Sequence, residues 1–248
     1  MVGMISDVGN FRKLNEDFIG CIEEENYRFY IVADGMGGHN AGEVASSMAV
    51  QTISEVISSN KDQNDMDYIL KKAIEITNEK IYKLSQEKNA LNGMGTTLTL
   101  CLIKNNMMKV ANIGDSSCFI LKNLEVEKIT KDHSLVQELI DSGSITEEQG
   151  KNHPNKNIIT RALGTKNEVE TDIFEVDLNP VNKIILCTDG MSNSVSREEM
   201  RGILLSINDN QEACEKLIEL SKLNGSKDNI SVIVFEGVCG NEGNYTRD

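Results

Sequence analysis

Short β-branched apolar runs recur along this chain in groups joined by brief polar turns, and longer amphipathic stretches separate the groups. Residues 18–22, 27–33, 96–103, 109–113, 117–121, 183–187 and 230–235 have the length and composition of strands. Residues 96–103 (TTLTLCLI) alternate in part, as a strand with one covered face does. Residues 41–57 repeat apolar side chains at helical spacing, as do Met66, Ile69, Leu70, Ala73, Ile76, Tyr82 and Leu84. Ser196 followed by Glu199 has the signature of a helix start, and 211–223 carries Leu217, Ile218 and Leu220 on a further helix. Strict strand-helix alternation, the mark of a doubly wound parallel sheet, is absent. The grouping at 18–33 and 96–129 predicts antiparallel sheets with helices packed outside them.

The 248 residues, 39% of them hydrophobic, can build a substantial core. With two prolines and no low-complexity linker, the reading is one domain over 1–240 and a short polar tail at 241–248. A net charge of −14 opposes a nucleic-acid or anionic membrane partner. The six cysteines are scattered without a C-x-x-C pair, and neither a signal segment nor a bilayer-length apolar run is present. Reduced thiols and a cytoplasmic location are expected.

The acids are placed where strands end. Asp34 closes one run, Asp115 and Asp189 follow two others, and Asp228 stands just before the last. In antiparallel neighbours the start of one strand lies beside the end of the next. Asp17 and Asp34 therefore share the open end of a hairpin, and the same logic pairs Asp189 with Asp228. A lone Asp-Gly is most often a turn. Several carboxylates gathered at one edge without basic partners repel, and a hard divalent cation, Mg²⁺ or Mn²⁺, is the simplest remedy. No His/Cys set has zinc spacing. Gly35, Gly37 and Gly38 allow a tight turn through which a carbonyl can face a metal and a phosphate can approach. No G-K-[ST] follows, and no cysteine has an arginine six positions later, so neither a Walker loop nor a cysteine-phosphatase loop is present.

The segments SDVGNFRKLNED (6–17), VADGMGGHNAGE (32–43), GMGTTLTL (93–100), ANIGDSS (111–117), KDHSLV (131–136), ITRALG (159–164), LCTDGMSNSV (186–195) and KDNISVIV (227–234) resemble, in order, the motif set of the metal-dependent protein phosphatases. That is the PPM or 2C-type serine/threonine phosphatase family in its compact bacterial form, and the resemblance spans about residues 3–236. It implies an α+β fold, a four-layer α-β-β-α sandwich with two central antiparallel sheets and a dinuclear metal centre at one end. It further implies that Asp34 bridges two Mg²⁺ or Mn²⁺ ions, with the Gly35 carbonyl, Asp189 and Asp228 completing the set. Glu16 and Asp17 would act through metal-bound water, and Asp115 would hold a third, weaker ion. Arg12 matches the phosphate-binding arginine.

His39 follows the Asp34 turn, and its imidazole can cycle near neutral pH, which makes it the candidate general acid; His133 and His153 read as structural. The segment 133–163 matches a flap. The implied reaction is attack of a metal-bridging water on phosphoserine or phosphothreonine in proteins, opposing a bacterial serine/threonine kinase, by a monomer. A non-catalytic member of the fold and a small-molecule phosphatase are the alternatives. One departure is Ser117, where the family often has arginine after G-D-S.

Overall fold

The computed structural model describes residues 2–38, 41–151 and 153–237. The first half of the chain runs β1 (Gly3–Asp7), β2 (Asp17–Glu23), β3 (Arg28–Met36), α1 (Ala41–Ser59), α2 (Met66–Glu87), β4 (Gly95–Thr96), β5 (Leu98–Lys104) and β6 (Met107–Ile113). There follow β7 (Ser117–Lys122), β8 (Glu125–Lys128), α3 (Leu135–Asp141), α4 (Glu147–Lys151), β9 (Asp172–Asp177), β10 (Val181–Cys187), α5 (Asp189–Ser192), α6 (Arg197–Ser206), α7 (Asn210–Leu223) and β11 (Ile230–Glu236). Two antiparallel sheets result. One has the order β1-β11-β10-β7-β8, and the other β2-β3-β5-β6-β9 with β4 beside β3.

Side-chain alternation explains the layering. On β3, Phe29, Ile31 and Ala33 face Ala45, Ala49 and Ile53 of α1 and Ile69 and Leu70 of α2. The alternate residues Tyr30 and Val32 face the other sheet, among Ile120, Ile184, Ile233 and Phe235. Beyond that sheet, Ile185, Val232 and Val234 pack on Met200 and Leu204 of α6 and Leu217 of α7. The order is thus helices, sheet, sheet, helices. Central strands are covered on both faces, which is why they read as near-continuous apolar runs. The partial alternation of 96–103 suggested one covered face; β5 is instead buried on both.

Helix ends follow their local chemistry. Asp65, Ser134 and Asp209 accept from backbone N–H groups at the starts of α2, α3 and α7, and Ser196 with Glu199 forms a reciprocal capping box at α6. The connections β1–β2 and β6–β7 both cross from one sheet to the other. Gly114 takes φ +100° in the second crossing, a value few other residues tolerate. Both crossings lie at the edge where β3 and β10 end and β5 and β11 begin.

Strands β1 and β9 were not apparent as apolar runs. Each is short and mostly half-buried, and polar residues break the apolar run: Ser6 and Asp7 in β1, and Asp172, Glu175 and Asp177 in β9. Cys101, Cys118, Cys187 and Cys214 are buried free thiols and Cys21 is half-buried; Cys239 and the tail at 241–248 lie outside the described residues. Among the described residues no helix is long and apolar enough to cross a membrane.

Between the sheets, the Tyr30 and Phe235 rings stack at 3.7 Å with 13° between their planes. Phe235→Ala removes one half of that contact and opens a cavity, so it should lower unfolding free energy by about 3–4 kcal/mol in urea titration. A loss under about 1 kcal/mol would show that the inter-sheet layer does not depend on the stack.

Candidate active site

Hairpin register brings the first acids together, since β2 pairs with β3 so that Asp17 lies directly opposite Asp34. On the other sheet β10 ends beside the start of β11, which sets Asp189 near Asp228. A Cβ on Gly190 would collide with the Asn229 carbonyl and come within 3.5 Å of Asp228 Cβ. Asp115 occupies the crossing from β6 to β7. Each of Asp17, Asp189, Asp115 and Asp228 contributes repulsion at Asp34, so one electrostatic cluster spans both sheets.

Hydroxyls and amides hold these acids in place. Asp17 Oδ2 accepts from Thr188 Oγ1 at 2.8 Å and Ser231 Oγ at 2.7 Å, and Ser231 Oγ is 2.9 Å from Ser6 Oγ. The Asp34 N–H donates to Thr97 Oγ1 at 2.9 Å, which lies 2.7 Å from Ser116 Oγ; Thr96 Oγ1 donates to the Asp34 carbonyl. Glycine is required at position 35, because a Cβ there would run into the Gly42 carbonyl at the start of α1. The Gly35 N–H donates to the Glu16 carbonyl at 3.0 Å, which ties β3 to the loop before β2.

Burial sets the charge state of the cluster. It raises Asp34 well above the carboxylate range, with Asp17 and Asp189 adding repulsion. Burial pushes Asp17 up to about 7 against its two hydroxyl bonds, with repulsion from Asp189 and Asp228. Asp115 reaches about 8 through burial and the charges of Asp189 and Asp132, while Lys128 draws it the other way. Asp189 reaches about 6 through burial and Asp228, moderated by a hydrogen bond with Asp34 and by Arg12. Glu16 is raised by partial burial. Arg12 loses some charge stability to burial, but Asp228, Asp34 and Glu16 more than compensate and hold it above its ordinary value.

Arg12 is the cation at the mouth of the cluster. Its Nη2 donates to Asp228 Oδ2 at 2.8 Å and its Nε to the Lys227 carbonyl at 3.3 Å. Among the described residues, Glu16 Oε1, Asp17 Oδ1, Asp115 Oδ1 and Asp189 Oδ1 are buried without a hydrogen-bond partner. Buried anionic oxygens with no donor are costly, and a hard cation is the partner their chemistry fits. Among the described residues no group of three or more His, Cys, Asp or Glu is placed so that it could hold a metal ion by itself.

His39 lies outside the described residues. His133 has a structural position: Nδ1 accepts from the Gly114 N–H at 3.1 Å, and Nε2 sits 3.2 Å from Asp172. The His153 Nδ1 accepts locally from the Asn155 N–H. Ser117 begins β7 as a buried residue, 3.4 Å from the Asp115 carbonyl. Sequence reading missed Thr97, Ser116, Thr188, Asn229, Ser231 and Lys128. Ser116, Thr188 and Asn229 each adjoin a candidate acid in the sequence, which was the available signal.

Residues 12–221 match the family model described as Protein phosphatase 2C. The chain is similar to the serine/threonine phosphatase stp of Listeria monocytogenes, with 40% identity over 235 residues and 93% of each chain covered. Its fold is similar to that of the serine/threonine phosphatase Stp1 from Staphylococcus aureus, with TM-score 0.89, 32% identity, and 96% of this chain and 95% of that one covered. It is also similar to the catalytic domain of the serine/threonine protein phosphatase PstP in complex with 2 manganese ions, with TM-score 0.81, 34% identity, and coverage of 94% and 96%.

The raised acids make a stability prediction. In the absence of divalent cations the folded chain holds protons on Asp189, Asp17 and Asp115 up to about 6, 7 and 8, whereas the unfolded chain has released them by about pH 5. The folded state binds more protons, so stability falls as pH rises through that window. Asp7, where Lys222 outweighs partial burial, is lowered and finishes titrating below it. The melting temperature in EDTA should drop by at least about 5 °C between pH 5 and pH 8.5, and Mn²⁺ should restore it at pH 8.5. A flat profile in EDTA would show that the acids are already neutralised by the protein.

Proposed function

The chain belongs to the protein phosphatase 2C family, and on that basis we propose that it is a Mg²⁺- or Mn²⁺-dependent enzyme that removes phosphate from phosphoserine and phosphothreonine in proteins. The observation that carries this reading is the set of buried carboxylate oxygens without donors beneath the Arg12 guanidinium. The serine/threonine phosphatase names of stp and Stp1, and the manganese ions of PstP, support it.

Asp34 with the Gly35 carbonyl, Asp189 and Asp228 would hold two cations, Glu16 and Asp17 would do so through intervening waters, and Asp115 with Asp189 would hold a weaker third. When bound, the cations supply an activated water near neutral pH and neutralise phosphoryl charge. Arg12 orients the substrate, because among the described residues its Nη1 edge carries no bond and a guanidinium fork matches two phosphate oxygens. Thr188 and Ser231 fix the direction in which Asp17 presents its free oxygen. His39 protonates the departing serine or threonine oxygen, and the segment 133–163 acts as a flap beside the site. The substrates are proteins phosphorylated by a cognate serine/threonine kinase, met in the cytoplasm by a monomer.

Phosphate release from phosphoserine, phosphothreonine and phosphotyrosine peptides tests the proposal. Mn²⁺ should support turnover of the first two, EDTA should abolish it, and Asp34→Asn or Asp189→Asn should lower kcat at least about a hundredfold with the circular dichroism unchanged. Full activity in verified metal-free protein would overturn the mechanism.

Arg12→Ala should act differently. It removes a contact made in the ground state as well as the transition state, so KM should rise roughly tenfold or more while kcat changes less. Weaker Mn²⁺ binding with an unchanged KM would instead place Arg12 in the support of Asp228.

A further inference from the structure

The loop between β1 and β2, residues 8–16, is held by hydrogen bonds to its backbone and carries exposed apolar side chains alongside the exposed Asn10, Arg12 and Lys13. Asn229, itself buried, donates from Nδ2 to the carbonyls of Val8 at 3.0 Å and Leu14 at 2.9 Å, and its Oδ1 accepts from the Glu16 N–H at 2.9 Å. One side chain therefore ties down both feet of the arch. The Gly9 N–H is bound by Asp7 Oδ1, Asn15 Nδ2 donates to Ser6 Oγ, and Arg12 is bound to Lys227 and Asp228. Above this frame Phe11 is 61% exposed, Leu14 48% and Val8 37%.

A single exposed apolar side chain needs no explanation. Here they sit on an arch already ordered by hydrogen bonds, on both sides of the arginine assigned to phosphate, so a partner docking on them orders little that is not already fixed. Charge complementarity selects the occupant. A phosphate drawn to the Nη1 edge of Arg12 brings with it the neighbouring residues of its own chain, about 3.3–3.6 Å apart along an extended strand. Those neighbours reach the loop around Arg12, where Phe11 directly precedes it and Leu14 follows two positions on, past the exposed Lys13. Acidic neighbours would meet the field of Asp34, Asp228 and Glu16, offset in part by Lys13, whereas apolar ones would bury surface on the arch.

Resting on the phosphatase reading, we propose that Phe11 and Leu14 form an apolar foothold beside the phosphate site, and that the favoured substrates carry a bulky aliphatic or aromatic residue within two positions of the phosphorylated one. The arch selects sequence context, and the acid cluster performs the chemistry.

The test uses the full chain with Mn²⁺ and phosphothreonine peptides that differ only in flanking residues, Leu against Ser against Glu. The wild type should prefer the Leu peptide over the Ser peptide by about tenfold in kcat/KM, with the Glu peptide slowest. In the double variant Phe11→Ser/Leu14→Ser the Leu-to-Ser ratio should fall to within about twofold, while p-nitrophenyl phosphate, which has no flanking residues, is turned over as before. A wild-type ratio near one, or a ratio that survives the double substitution, would overturn the foothold. So would sedimentation showing a wild-type dimer that the double variant dissolves, since the patch would then serve a second copy. A wild type that releases phosphate from neither peptide nor the nitrophenyl ester would overturn the phosphatase reading itself, and the foothold with it.

Discussion

Repulsion among carboxylates is the constraint to which the rest of this structure answers. Asp17, Asp34, Asp115 and Asp189 are drawn out of water within one another's field, and among the described residues Arg12 stands beside them paired to Asp228. Left to themselves, such groups would splay apart or stay protonated. They are held by the packed layers behind them: α1 and α2 against one sheet, the apolar seam between the sheets, and α6 and α7 against the other. A rigid two-sheet frame lets the charges sit closer than any loop could keep them, and the strain between frame and charge is what a divalent cation would relieve.

The frame reaches the acids through small polar groups. Thr188 and Ser231, on different strands, converge on one oxygen of Asp17 and leave the other without a donor. Thr97 and Ser116 brace the backbone of Asp34 from the neighbouring strand and from the crossing that carries Asp115. These hydroxyls fix direction without adding charge, so they position carboxylates without neutralising them. The Ser117 position follows the same pattern. No arginine lies there, and the positive field felt by Asp115 comes from Lys128, bound to Asp132 on the far side of the β7–β8 hairpin.

Much of this was legible in the sequence, and for identifiable reasons. Apolar β-branched runs marked β3, β5, β6, β7, β10 and β11 because those strands are largely buried, and β2 because its half-buried Ile19, Cys21 and Ile22 pack on the cores to either side; the antiparallel arrangement followed from how closely the runs follow one another. The opposition of Asp17 and Asp34 could be argued from a short polar turn and two strand ends. What could not be read were features set by tertiary contact alone. Strands β1 and β9 lack an apolar signature because they are short, mostly half-buried and interrupted by Ser6, Asp7, Asp172, Glu175 and Asp177. The reach of Asn229 back to Val8 and Leu14 spans more than two hundred positions and leaves no local trace.

Sheet order also bears on how the protein comes into being on a ribosome. Of the described strands β1 is made before the others, yet its partner is β11, which lies between it and β10 in the finished sheet. Until the chain past residue 236 has left the exit tunnel, β1 has no strand to join and the seat between it and β10 stays open. Asp228 and Asn229 arrive with that same strand, so the acid, the anchor of the β1–β2 arch and the closing of the sheet appear in one event. The five-stranded sheet is therefore completed only when β11 joins it, and Asp228 takes its place beside Asp189 in that same step, after the β2–β3 hairpin has already set Asp17 against Asp34.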